Sequence, residues 1–394
     1  MIDGILNINK PQGVTSHDVV RDIRRLLGVK KIGHTGTLDP MATGVLPICI
    51  GKATRITEYT DLDFKKYRCQ LRLGTVTDTQ DIWGTVLEQH PTDGITEEAV
   101  RKAFEGFRGR ISQRPPMYSA VRIAGRRLYD YARAGETVEV KTREVYINDL
   151  VVEAVDFGRT CDRGAEIPDP GCAPGLGSAT APAAPRANPQ NTSGGAPAAP
   201  RPAASEPVSG PRVRFTVECS KGTYIRTICE DVGRALGCGA VMESLERLAS
   251  GAFRIEDAID LYDLTDTYAT RRFEGEKYFV EQASPENLAR IEKLILPIDY
   301  PLVHFGKAVM SAEQAHKFID GWHVPLSECV ITERPEFESA DFPLEIRPEY
   351  RAAYNMYRRA GGTQNAAPEF IGVAFYSPKY KKLVADKVFA RNDE

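Results

Sequence analysis

Between Glu166 and Pro211 the chain runs for 46 residues with 11 prolines, 11 alanines, 6 glycines and no aromatic side chain. Such a tract cannot bury enough apolar surface to offset the entropy of ordering it, so it stands outside any core. Its flanks both read as strands: Leu150-Val151-Val152-Glu153-Ala154-Val155 before it, and Val213 to Cys219 after it, with apolar residues at 213, 215, 217 and 219. Two strands joined by a coreless tract form a hairpin with an overgrown loop, not two domains on a linker. Loop length is cheap, about 0.6 kcal/mol per doubling. The insertion, 158–211, therefore interrupts a single unit, 1–297, and the sequence on its two sides must build one sheet.

The rest alternates between helix and strand patterns. Thr15-Ser16-His17-Asp18 has the spacing of a helix start, and Val19, Val20, Ile23, Leu26 and Leu27 follow on one face until Gly28. Cys69, Leu71 and Leu73 alternate with polar residues up to Gly74. Beyond Ser220-Lys221-Gly222, residues Ile225, Ile228, Cys229, Val232 and Leu236 recur at helical spacing, which puts Tyr224 and Arg226 in a first helical turn. Segment 256–297 reads as helical. From Pro297 onward short strands predominate, such as Ile371, Val373 and Phe375, and predict a small β-rich unit over 298–394. The expected class is α+β, a mixed, largely antiparallel sheet with flanking helices.

Composition excludes several functions. No apolar run reaches the roughly 18 residues that a membrane span needs. The first strand pattern begins at Ile5, leaving no room for a leader peptide, so a cytoplasmic location is expected. Eight cysteines, at 49, 69, 161, 172, 219, 229, 238 and 329, include no Cys-x-x-Cys, so neither a disulfide framework nor a metal site is expected. Net charge is only −3, but residues 101–146 hold eleven Lys/Arg against five acids, and Arg21, Arg24, Arg25, Lys30 and Lys31 form a second cluster. Phosphate binding needs local positive charge; solvated helix faces are the other reading of each cluster alone.

That second cluster leads into Gly33-His34-Thr35-Gly36-Thr37-Leu38-Asp39-Pro40-Met41-Ala42-Thr43-Gly44. With so few bulky side chains this segment reads as a shaped loop presenting Asp39; alone, it reads equally as an Asp-Pro turn capping its own backbone. A phosphate loop is excluded on spacing, because Leu46 and Ala53 stand where Gly51-Lys52 would require a glycine and a Ser or Thr.

Several segments taken together resemble one family. They are Asn9-Lys10-Pro11-Gln12-Gly13, the Gly33–Gly44 segment, Lys66-Tyr67-Arg68, Arg72-Leu73-Gly74 with Thr77-Asp78-Thr79, Met117-Tyr118-Ser119-Ala120, Lys221 to Thr227, Gly237-Cys238-Gly239-Ala240 and Leu245-Glu246-Arg247-Leu248. In this order they are similar to the bacterial tRNA pseudouridine-55 synthases, the TruB-type pseudouridine synthases. The likeness covers residues 3–150 and 212–255; the insertion has no counterpart in it, and the chain beyond 300 resembles a PUA-like RNA-binding domain only faintly.

The resemblance implies a pseudouridine synthase fold and isomerisation of a T-loop uridine in tRNA, with neither metal nor organic cofactor. It implies Asp39 as the catalytic aspartate, Arg226 as its ion-pair partner, and Tyr67 as the active-site ring that stacks under the base and moves a proton at C5. Tyr224 and Leu245 are implied as further contacts to the flipped nucleotide, His34 as the loop histidine that contacts the RNA and occupies the space this nucleotide vacates, and Lys10-Pro11 as a buttress without chemistry. The implied partner is the tRNA T-arm, with no guide RNA, and the expected state is a monomer. Two other readings stay open here: a non-catalytic tRNA-folding protein on the same scaffold, and a guide-RNA-dependent synthase, against which the non-basic end Ala390-Arg391-Asn392-Asp393-Glu394 argues.

Overall fold

The computed structural model describes residues 2–136, 138–158, 210–274, 277–338, 346–359 and 367–391; residues 159–209, nearly all of the expected insertion, lie outside the described residues. Nine strands carry the main sheet: β1 (Gly4–Lys10), β2 (Ile32–His34), β3 (Thr43–Ile50), β4 (Lys65–Leu73), β5 (Gly109–Gln113), β6 (Arg143–Asp156), β7 (Arg212–Cys219), β8 (Ala240–Ser250) and β9 (Ile259–Asp260). Their order is β9-β1-β3-β8-β4-β7-β6-β5, with β2 on β3 and the short strand Phe253–Arg254 on β8. All pairings are antiparallel except β1 with β9 and β3 with β8. The sequence on the two sides of the insertion meets as expected: β6 pairs β7, with Val155 opposite Val213 and Asp156 opposite Arg212.

Alternation along the central strands makes this sheet a middle layer. Leu6 and Ile8 of β1, with Leu46, Ile48 and Ile50 of β3, enter one core, whereas Ile5, Val45 and Cys49 enter another. A strand apolar on both faces must be covered on both. Helices α1 (Ser16–Leu27), α2 (Glu97–Glu105) and α3 (Ile225–Ala235) cover the first face with Val19, Ile23, Leu26, Phe104, Ile228 and Val232. α1 starts at a Thr15/Asp18 capping box and stops at Gly28 in the left-handed region (φ +66°). α3 begins one residue later than the pattern suggested: Tyr224 is its N-cap, in extended conformation, and Arg226 lies in the first turn.

The opposite face is covered by Ala53, Ile56, Tyr59 and Leu62 on two 3₁₀ turns, together with Phe305, Tyr350 and Phe389. Those last three flank the strands of a second, six-stranded sheet formed by β10 (Gly306–Met310), β11 (Val324–Pro325), β12 (Val330–Glu333), β13 (Ala353–Arg358), β14 (Glu369–Ser377) and β15 (Lys382–Val388), in the order β11-β15-β14-β13-β10-β12. Polar ties accompany this shared core: Lys52 Nζ donates to Phe389 O (2.8 Å), Arg55 Nη1 to Val388 O (2.7 Å), and the Tyr59 hydroxyl to Asp386. Segment 256–297 is not wholly helical. Helices Leu261–Tyr268 and Pro285–Glu292 enclose a hairpin of Arg271–Glu274 with Lys277–Val280, where aromatic and β-branched residues favour strand.

Candidate active site

One lateral row of the sheet register runs through Lys10 of β1, Gly44 of β3, Arg247 of β8, Tyr67 of β4 and Val217 of β7. The row is tight at Gly44. Its φ is +100°, and a Cβ there would stand 2.3 Å from Arg247 O and 2.7 Å from Arg247 N, so only glycine fits between β3 and β8. The twelve-residue segment is thus part strand, His34 ending β2 and Thr43-Gly44 opening β3, and the loop proper is residues 35–42.

Asp39 is held by its neighbours' backbone. The Leu38 N–H donates to Ser16 Oγ (2.9 Å), whose hydroxyl donates back to Leu38 O (3.1 Å). Pro40 O accepts from the Gly13 N–H (2.8 Å) and from Lys10 Nζ (3.1 Å), and the Ala42 N–H donates to Asp39 O (3.1 Å). The peptide is fixed while the Asp39 side chain stays 43% exposed. Lys10 is fully buried, and its other bonds go to Pro11 O (2.9 Å) and Val14 O (2.8 Å). Burial lowers its pKa to about 7; Asp39 favours the charge, while Arg247 opposes it.

Arg226 reaches Asp39 from α3, with Nε 3.1 Å from Oδ2. It is itself buried, donating from Nη1 to Thr79 O (3.1 Å) and from Nη2 to Tyr118 O (2.9 Å), with Nη1 3.7 Å from Asp81 Oδ2. Asp81 accepts from the Thr79 hydroxyl (2.6 Å) and the Trp83 N–H (3.1 Å). Burial raises the Asp81 pKa against the pull of these bonds and of Arg226. One guanidinium therefore spans an exposed carboxylate in front and a half-buried one behind.

Tyr67 is buried opposite Arg247, and burial raises its pKa, with Arg247 opposing the shift. His34 accepts at Nδ1 from the Gly36 N–H (3.3 Å), and burial, then the Arg247 charge, lowers its pKa. Leu245, two residues before Arg247, is 9% exposed and faces Cys69 across the strand pair. Tyr224 is half-buried, its N–H donating to Gln113 Oε1 (3.0 Å) while Gln113 Nε2 donates to its carbonyl (3.2 Å). The geometry brings Asp39 and Arg226 into contact and sets Tyr67, His34 and Lys10 around Arg247.

Four residues given no role from sequence support this arrangement: Ser16, Asp81, Gln113 and Arg247. Arg247 stood out from sequence only as part of Leu245-Glu246-Arg247-Leu248, since Glu243 and Glu246 share its strand; Asp81 and Gln113 carried no signal. The basic clusters are partly spent on structure. Arg21 pairs with Asp18 and Asp22, Arg25 lies over Phe279, Arg101 pairs with Glu97, and Arg126 pairs with Glu136 and lies over Tyr131. Among the described residues no group of three or more His, Cys, Asp or Glu is placed to hold a metal ion, and no helix is long and apolar enough to cross a membrane.

Comparison with known proteins decides the family. The model for the TruB family pseudouridylate synthase N-terminal domain matches residues 24–164, and that for the tRNA pseudouridylate synthase B C-terminal domain matches 226–303. A tRNA pseudouridine synthase B of Alkaliphilus oremlandii is 37% identical over 320 residues, 81% of this chain and 82% of that protein. The chain belongs to the TruB family. Another TruB relative, the tRNA pseudouridine synthase B of Geobacillus kaustophilus, is 37% identical over 326 residues, 81% of this chain and 90% of that protein. Among solved structures, a Cbf5–Nop10–Gar1 complex contains a chain of the same fold, with a TM-score of 0.57 at 22% identity over 99% of this chain and 86% of that one. The six-stranded sheet lies beyond both TruB matches, since β10 begins at Gly306.

Proposed function

We infer that this chain is a tRNA pseudouridine synthase acting on the uridine at position 55 of the T-loop. The reading is carried by the Asp39–Arg226 pair: a carboxylate 43% exposed, on a backbone pinned at both sides, with a buried guanidinium 3.1 Å away. The reaction breaks the C1′–N1 bond, turns the uracil and forms C1′–C5; the C5 proton leaves and N1 gains one, so nothing is oxidised or hydrolysed. Asp39 works at the sugar, either attacking C1′ or removing a ribose proton. Arg226 supplies its counter-charge when bound RNA excludes water from the pair.

A T-loop uridine is reached only after it is flipped out, and aromatic faces offset lost stacking by about 1–3 kcal/mol per base. Tyr67 and Tyr224 offer such faces, with His34 and Leu245 as further contacts. Burial raises the Tyr67 pKa, so the hydroxyl is no standing phenolate; it takes up the C5 proton as it gives its own to N1. Residues 298–394 serve as a PUA-like second RNA-binding unit, and the enzyme works in the cytoplasm as a monomer without guide RNA. The test uses purified protein with an unmodified tRNA transcript and no other RNA, assaying the T-loop for pseudouridine. Asp39→Asn should lower turnover about 10⁴-fold or more while tRNA affinity changes less than about threefold. Surviving turnover would remove Asp39 from the chemistry.

A further inference from the structure

Arg247 is 1% exposed, one of the largest fully buried side chains in the molecule. Its Nε donates to Val45 O (2.6 Å) and its Nη2 to Gly36 O (3.4 Å). These carbonyls lie on opposite sides of Asp39, one three residues before it and the other just inside β3. Directly across the strand pair, on β4, stands Tyr67, whose hydroxyl senses the charge of the same guanidinium. Behind it, the Arg247 backbone occupies the space that a side chain at position 44 would take. Among the described residues none of its contacts is a carboxylate. A buried charge without a counter-ion is costly to keep, and carbonyls satisfy its donors without neutralising it.

We propose that Arg247 is a positioning residue, a tie between the two carbonyls flanking Asp39 that sets the Asp39 loop against Tyr67 on β4. The proposal rests on the functional reading above. A planar fork reaches both loop carbonyls at once while its charge faces Tyr67; a lysine ammonium restores the charge but not both bonds. The titratable groups around it are Lys10 at the end of β1, His34 in β2, and Lys65 and Tyr67 in β4. Lys10, His34 and Tyr67 each sense the Arg247 charge, Asp39 acts on Lys10 and Tyr67, and Lys65 Nζ approaches the same Gly36. Removing that cation moves the pKa of Lys10, His34 and Tyr67 upward.

The test compares the full chain with its Arg247→Met and Arg247→Lys variants. Single-turnover rate and affinity are measured on an unmodified T-arm transcript across pH, and His34 is titrated by NMR with His34→Gln for assignment. Arg247→Met should slow turnover about 100-fold, the scale of a 1 Å misplacement, with affinity within about threefold of wild type. His34 should titrate at higher pH in Arg247→Met and return toward wild type in Arg247→Lys, whose rate stays depressed. Should Arg247→Met fail to fold, the Arg247→Lys rate alone decides. A rate within about threefold of wild type overturns the proposal, as does a slow variant whose affinity falls in proportion and whose His34 titration is unmoved. Wild-type protein that leaves the uridine unchanged would overturn the functional reading itself, a different result from active wild type with unaffected variants.

Discussion

Replacing Gly44 and Gly13 separately with alanine distinguishes two costs usually lumped together. Gly13 has φ +89° with nothing within 4 Å of a prospective Cβ, whereas Gly44 has φ +100° with Arg247 O only 2.3 Å away. Both φ values are ones that L side chains rarely adopt, so each substitution carries backbone strain, about 1–3 kcal/mol. Gly44→Ala carries a further cost. Ordinary contact begins at 3.4 Å, so β3 and β8 must part by about 1 Å in the middle of the sheet. Overpacking of that kind adds about 1–3 kcal/mol. Urea unfolding at pH 7 should therefore find Gly44→Ala less stable than Gly13→Ala by about 1–3 kcal/mol. Because the strain falls on the row that bears Arg247 and opens the Asp39 loop, single-turnover rate should fall about 100-fold in Gly44→Ala. Two variants equal in stability within about 0.5 kcal/mol would refute the claim that close strand approach, and not φ, demands glycine at 44.

Two stability predictions follow from buried titrating groups, with opposite signs. Lys10 falls from 10.5 when unfolded to about 7 when folded, so the unfolded chain binds the extra proton between those values and stability rises with pH there. Urea midpoints of wild type and Lys10→Met should shift in favour of wild type between pH 7 and 9, by at most about 1.4 kcal/mol per pH unit. His304 behaves the other way: burial pulls its pKa down, but the neighbouring carboxylates of Asp63 and Glu336 outweigh this and hold it above 6.5. Its contribution is full below pH 6.5 and lost as pH rises through the folded value, so the advantage of wild type over His304→Gln should be larger at pH 5.5 than at 8.5.

The strands flanking the insertion were legible because alternation with period 2 survives any loop length, and Val213 to Cys219 had only one face to bury. Capping residues likewise announced α1, since Thr15, Asp18 and Gly28 act within one turn of themselves. Asp81 was not legible. Its role depends on Arg226 lying 145 positions away in the chain, and a carboxylate in a Thr-rich turn looks like any turn acid. The hairpin at 271–280 was missed because short apolar runs carry no decisive period. Nor could the sequence tell that the second sheet shares a core with the first: Tyr59 and Phe389 look like independent aromatic residues until the fold brings them together.

The site depends on register more than on any motif. Lys10, Gly44, Arg247 and Tyr67 come from four strands spread over most of the chain, yet they are consecutive across one row. A slip of one residue in any strand would turn its member to the opposite face. β8 guards against this with two irregularities, between Met242 and Ser244 and between Arg247 and Ala249, which bracket the regular run Ser244–Arg247. An extra residue on each side resets the alternation locally and confines the correct phase to that run. Within it Leu245 and Arg247 face Cys69 and Tyr67, so the strand delivers its buried charge to Tyr67 and to the carbonyls of the Asp39 loop, while α3, following β7 in the same sheet, delivers Arg226 to Asp39 from the other side.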